Sequence, residues 1–138
     1  MKYAVIDTNV LVAAMITHNV MSPTVKVVEA IGEGKITPLY DEEIVTEYKE
    51  VLSRSKFGFL GTSVARLIRT MMDKGVKAER IFSGETFTDA SDAVFYEVAL
   101  SKDGSYLVTG NKRHFPQAPI VVTPAEMLEI LAHEEETI

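Results

Sequence analysis

Short apolar runs alternate with helix-spaced stretches along almost the whole chain, and this alternation restricts the fold more than any other feature. Tyr3–Ile6, Ile36–Leu39, Tyr106–Thr109 and Ile120–Val122 are short, apolar and bounded by polar or turn residues, which predicts buried strands. Between them the spacing is helical. Val10–Ile16 is apolar enough for a buried helix. Ser22-Pro23 opens a second helix through Val25, Val28 and Ile31 that stops at Gly32 and Gly34. Asp41 caps a third running to about Leu52. Thr62 or Ser63 caps a fourth ending near Gly75, Ser91 or Asp92 starts a fifth through Phe95, Tyr96 and Ala99, and Pro124 opens the last. Residues 76–87 read as irregular, with a short strand expected at Ile81-Phe82. Parallel neighbours need crossover connections, so strands alternating with helices predict a three-layer α/β fold. Its sheet would be mostly parallel, with about four to five strands and helices on both faces, in a single domain spanning 1–138.

In such sheets ligands bind at the carboxyl ends of the strands, so the polar residues just after each run matter most. Asp7-Thr8-Asn9 follows the first strand; all three residue types also cap helices well. Glu47 lies nearest the edge of the apolar face of the Asp41–Leu52 helix, where a carboxylate is costly unless paired, metal-bound or turned outward. Asp92, in Thr88-Asp89-Ala90-Ser91-Asp92, lies one turn before Phe95, Tyr96 and Ala99 and shares their inward face. Asn111-Lys112-Arg113-His114 follows the Tyr106–Thr109 strand and joins an amide to three basic side chains; a solvated turn would look the same.

Carboxylates sharing one site raise one another's pKa, and a hard divalent cation relieves the repulsion. Oxygen-only ligands suit Mg²⁺ or Mn²⁺, and such a site suits phosphodiester hydrolysis. There is no cysteine, so disulfides and thiolate metal sites are excluded. His18, His114 and His133 lack a matching serine turn, and no glycine-rich phosphate loop is present. The net charge of −6 argues against a broad basic surface for nucleic acid, though not against binding through a metal and a small basic patch. Asp7, Thr8 and Asn9 interrupt the first apolar run, which argues against a signal peptide, and no stretch approaches the roughly 20 apolar residues of a membrane span. A cytoplasmic protein with no membrane association is expected.

Four segments in this order resemble the PIN-domain family, whose members include VapC-like ribonuclease toxins of toxin–antitoxin pairs. YAVIDTNVLVAAM resembles the family's opening strand and acid, DEEIVTEYKEVLSRSKF the helix carrying its glutamate (Glu47), TDASDAVFYEVAL the helix opened by its next acid (Asp92), and YLVTGNKRHF its strand–T-G-D segment. The resemblance covers nearly the whole chain. It implies Mg²⁺- or Mn²⁺-dependent cleavage of RNA, with Asp7, Glu47 and Asp92 as catalytic metal ligands. It also implies a homodimer inhibited by an antitoxin protein.

The departure is Asn111, where the family usually has aspartate. An amide oxygen can still bind a metal or a water but adds no charge, which leaves open whether one or two metals bind. Asn9 and Asp89 are auxiliary candidates, Asp89 as a source of the missing charge. Thr8, Lys112, Arg113 and His114 are expected at the substrate, because an acidic protein needs local positive charge to hold RNA. Phe57-Gly58-Phe59-Leu60 is either an antitoxin-docking surface or a connection packed into the core. Two other functions fit parts of the pattern. One is a non-catalytic RNA- or partner-binding module with a decayed site. The other is a phosphatase with Asp7 as nucleophile, against which Asn9 counts, since that class places a second aspartate there.

Overall fold

The computed structural model describes residues 1–136. The strands are β1 (Lys2–Ile6), β2 (Ile36–Tyr40), β3 (Val76–Lys77), β4 (Tyr106–Val108) and β5 (Val121–Val122). They form one sheet in the order β3-β2-β1-β4-β5, and every neighbouring pair is parallel. The helices are α1 (Thr8–Ile16), α2 (Pro23–Gly32), α3 (Glu42–Leu52), α4 (Gly61–Lys74), α5 (Ala90–Leu100) and α6 (Pro124–Glu136), with a 3₁₀ turn at Lys112–His114.

The chain lays β1, β2 and β3 outward in one direction, then returns through α5 to place β4 and β5 on the other side of β1. Crossovers between parallel strands are right-handed, so those moving in opposite directions cover opposite faces. α5 packs on β1, β2 and β4, whereas α2 and α4 pack on β2 and on each other, and α6 packs on α2. The result is the three-layer α/β architecture the alternation predicts, with an all-parallel sheet. Covered on both sides, the centre of β1 needs no polar alternation, and Ala4, Val5 and Ile6 are completely buried. The strand order reverses at β1. The crevice for a ligand therefore opens between the carboxyl ends of β1 and β4, where Asp7 and Thr109 follow directly.

Several local expectations are corrected. Ile81-Phe82 is not a strand: the Ile81 N–H bonds to the Glu97 carbonyl, so this segment lies over α5, and the strand is Val76–Lys77 at the end of β2. α4 begins at Gly61, before Thr62 or Ser63, with the Leu60 carbonyl accepting from the Ser63 and Val64 N–H groups. α5 is capped by Asp89, ahead of Ser91 and Asp92. Ser22 sits at the N-cap of α2, but its hydroxyl pairs with that of Thr24. In α1 only the first turn is buried, and Ile16 is 53% exposed. At 57–60 the Phe57 and Phe59 rings stack 5.3 Å apart, Phe59 lies against the core and Leu60 is exposed.

Candidate active site

Asp7 is the residue on which the candidate site is built. β1 delivers it to the sheet edge, and its N–H bonds to the Val108 carbonyl at 2.9 Å, which fixes it beside the end of β4. It stands at the N-cap of α1, yet its side chain makes no capping hydrogen bond. One carboxylate oxygen instead accepts from the Thr109 hydroxyl at 2.8 Å, and that hydroxyl accepts from the Asn111 N–H at 3.0 Å. Asp7 is 8% exposed and has no cationic partner among the described residues. Burial pushes its pKa to about 6; the Thr109 bond opposes the rise, and the charges of Asp92 and Glu47 add to it.

Tyr48 brings Glu47 and Asp92 to the same edge. Its hydroxyl donates to the Ile6 carbonyl and its ring packs 6.2 Å from Phe95, tying α3 and α5 to the end of β1. Glu47 precedes Tyr48 and is half-buried, and one of its oxygens accepts from the hydroxyl of buried Thr8. Asp92 lies one turn before Phe95, its carboxyl raised by burial and by Asp89, with His114 opposing and Glu47 adding. Asp7, Glu47 and Asp92 thus lie within one another's electrostatic reach, each on a different element.

The remaining predicted residues divide. Asn9 Oδ1 accepts from the Gly110 N–H at 3.2 Å and braces the start of α1 against the end of β4. His114 faces the site, with Nδ1 3.8 Å from Asp92 Oδ2 and Nε2 3.0 Å from Asn111 Nδ2. Lys112 turns aside to Glu126 at 3.0 Å, while Arg113 is exposed with no side-chain partner among the described residues. Asp89 accepts from the Ser91 N–H and hydroxyl, which hold its carboxyl below the usual range; it serves first as the cap of α5. Thr8 contacts a carboxylate of the site.

Sequence reasoning missed Thr109, which reads as the end of a strand and is the direct hydrogen-bond partner of Asp7. It also missed Glu97, buried on α5 among Arg80 and Ser83. A polar residue inside the inward face of a helix was the available signal for Glu97.

The donor set suits a hard divalent cation: three carboxylates in mutual repulsion plus the Asn111 amide oxygen, with no thiol. Among the described residues, no three His, Asp or Glu side chains converge closely enough to hold a cation as they stand. The fit is therefore one of donor type and charge. No described helix is long and apolar enough to cross a membrane.

An all-parallel five-stranded sheet with helices on both faces defines a three-layer α/β protein. The chain belongs to the PIN-domain family, whose model matches residues 3–113. No curated protein and no solved structure matched. PIN domains are generally nucleases and generally use divalent metals, which supports a hydrolase. The match takes in Asp7, Glu47, Asp92 and Asn111, and ends at Arg113, before β5 and α6.

Proposed function

We propose that the protein is a metal-dependent endoribonuclease that hydrolyses phosphodiester bonds of single-stranded or structured RNA. The observation that carries this reading is Asp7: a buried carboxylate without a cationic partner among the described residues, raised to about 6, in part by the charges of two further carboxylates. Such an arrangement is costly in the free protein and is relieved by positive charge. Bound Mg²⁺ or Mn²⁺ would supply a hydroxide nucleophile near neutral pH and stabilise charge at phosphorus. Asp7, Glu47 and Asp92 would hold it, with Asn111 contributing an amide oxygen. Thr109 and Thr8 keep two of those carboxylates oriented through their hydroxyls. Arg113, His114 and Lys112, the last once freed from Glu126, would contact phosphates beside the metal.

Cleavage of a mixed RNA pool with and without Mn²⁺, run beside Asp7→Asn, tests this reading. Metal-dependent cleavage lost in the variant supports it. RNA binding without cleavage would favour the non-catalytic module, to which Asn111 lends weight. Neutralising Lys112 and Arg113 together should weaken RNA binding and flatten its salt dependence.

A cytoplasmic toxin of a toxin–antitoxin pair, acting as a homodimer, is the biological setting we infer, by family resemblance. Its antitoxin would dock beside Leu60 and the Phe57–Phe59 stack, reaching a basic side chain toward Asp7 and Asp92. Leu60→Ala should weaken that partner while leaving cleavage intact, as a pull-down and a nuclease assay on one preparation would show.

A further inference from the structure

A cleft of about 700 Å³ lies on the far side of the turn that follows β4, within the size range of small-ligand sites. The chain from Lys112 to Pro119, the outer edge of β5 and the first turn of α6 wall it. β5 ends the sheet, so no described strand covers that edge. Buried Phe115, Val121 and Val122 give the cleft an apolar floor. Phe115 is held by an edge contact with Phe87, ring centroids 6.4 Å apart. The rim is polar. Lys112 and Glu126 lie 3.0 Å apart and offset each other's charge. Arg113 and Gln117 are exposed, and neither side chain has a partner among the described residues. An uncompensated guanidinium and an amide that can both donate and accept thus stand over an apolar floor. This combination complements a nucleotide, whose phosphate is anionic and whose base joins an apolar face to a hydrogen-bonding edge. A bare anion would leave the floor unused, and a purely apolar ligand would leave Arg113 unused.

The cleft shares a wall with the acidic site. The 3₁₀ turn Lys112–His114 puts Lys112 and Arg113 on the cleft, while His114 Nδ1 lies 3.8 Å from Asp92 Oδ2. A strand with one phosphate at the acids therefore meets the cleft with a neighbouring nucleotide. The family model ends at Arg113, so the floor and the rest of the wall lie outside it. We propose that this cleft is a nucleotide subsite that takes the base of an RNA nucleotide next to the cleaved bond, with Arg113 on its phosphate and Gln117 on the base edge. This rests on the RNA-cleaving reading above and extends it to substrate choice; occupancy of the cleft itself requires no metal.

Binding of labelled RNA pentanucleotides of A, C or U to the full chain in EDTA tests the proposal, followed by fluorescence anisotropy and by the amide NMR signals of Val121 and Val122. RNA should shift both signals in the parent. Ala118→Phe, which fills the cleft from a half-buried loop position, should weaken RNA by about tenfold, the loss typical of one stacked base. Arg113→Gln should weaken the three RNAs alike, and Gln117→Ala should alter their ranking. Free nucleoside monophosphates should bind at least about tenfold more weakly than RNA, because a strand also engages the turn outside the cleft. Val121 and Val122 signals that stay in place while RNA binds the parent, or unchanged affinity in folded Ala118→Phe, overturn the proposal. So does a monophosphate that binds as tightly as RNA, which would make the cleft a free-nucleotide site. RNA that does not bind in EDTA overturns it too, and Mn²⁺-dependent cleavage by the same preparation then shows that the acidic-site reading stands without it. RNA bound at the cleft of a chain that cleaves nothing with Mn²⁺ overturns the acidic-site reading and the placement beside a cleaved bond.

Discussion

Asp7 and Glu97 are both buried carboxylates, 8% and 4% exposed, and the fold treats them in opposite ways. Glu97 is fully matched. Arg80 donates to one oxygen through Nε and Nη2 at 2.9 and 2.6 Å, and the Ser83 N–H and hydroxyl donate to the other at 2.8 Å each. Burial alone would raise the Glu97 carboxyl, but these bonds and the guanidinium hold it below its ordinary value. Asp7 has a single side-chain donor among the described residues, Thr109, and two acidic neighbours, and its pKa rises. A matched buried charge fastens structure: Glu97 pins residues 80–83 to α5, with Arg80 reaching on to Glu43 of α3. An unmatched one marks a place kept for something else, which is the physical reason to put the chemistry at Asp7.

This contrast can be broken at either end. The largest effects are expected at the unmatched cluster, where Glu47→Gln and Asp92→Asn should each lower Mn²⁺-dependent RNA cleavage by about 100-fold or more, measured under single-turnover conditions. The next largest belongs to the matched carboxylate. Glu97→Gln leaves Arg80 facing a neutral amide and should cost about 3 kcal/mol in urea unfolding, at the low end for such pairs because Arg80 is partly exposed. Cleavage per folded molecule should be unaltered, since Glu97 is not part of the acidic cluster.

The two sites also pull stability in opposite directions with pH. A carboxylate raised by folding contributes stability that is complete below its unfolded pKa and lost as pH rises through the folded one. For Asp7 that window runs from about 4 to about 6. Asp7→Asn should therefore be more stable than the parent at pH 8, by on the order of 3 kcal/mol, and lose that advantage near pH 4. Glu97, lowered by folding, contributes stability present above the ordinary glutamate range and lost as pH falls below it. Thermal melts from pH 2 to 8 separate the two. The smallest effect is at Thr109→Val, which removes the side-chain hydrogen bond that most opposes the Asp7 shift. The acid limb of the pH–rate profile should move upward by about one pH unit.

How much of this was legible follows from what each residue needs nearby. The Tyr3–Ile6 run ending in an acid, Glu47 at the rim of an apolar helical face and Asp92 one turn before Phe95 are local patterns, and they gave the elements and the three acids. The cap of α5 was not decidable locally, because Thr88-Asp89-Ala90-Ser91-Asp92 offers several capping residues in a row. β3 has two exposed residues and exists because the end of β2 offers free backbone groups, a tertiary cause with no hydrophobic signature. Thr109 looked like the last residue of a strand; only the register of β1 against β4 sets it beside Asp7. Glu97 finds its partner 17 residues upstream, in a segment without regular structure.

On the proposed reading, the acid left unmatched at the end of β1 carries metal-dependent cleavage. Its most direct test is RNA cleavage by the parent and Asp7→Asn across a Mn²⁺ titration, with the melting temperature taken on the same preparations at pH 8. Cleavage should rise with Mn²⁺ in the parent and be reduced by at least about 100-fold in a variant that melts higher. A variant that cleaves as well as the parent at every Mn²⁺ concentration would contradict it.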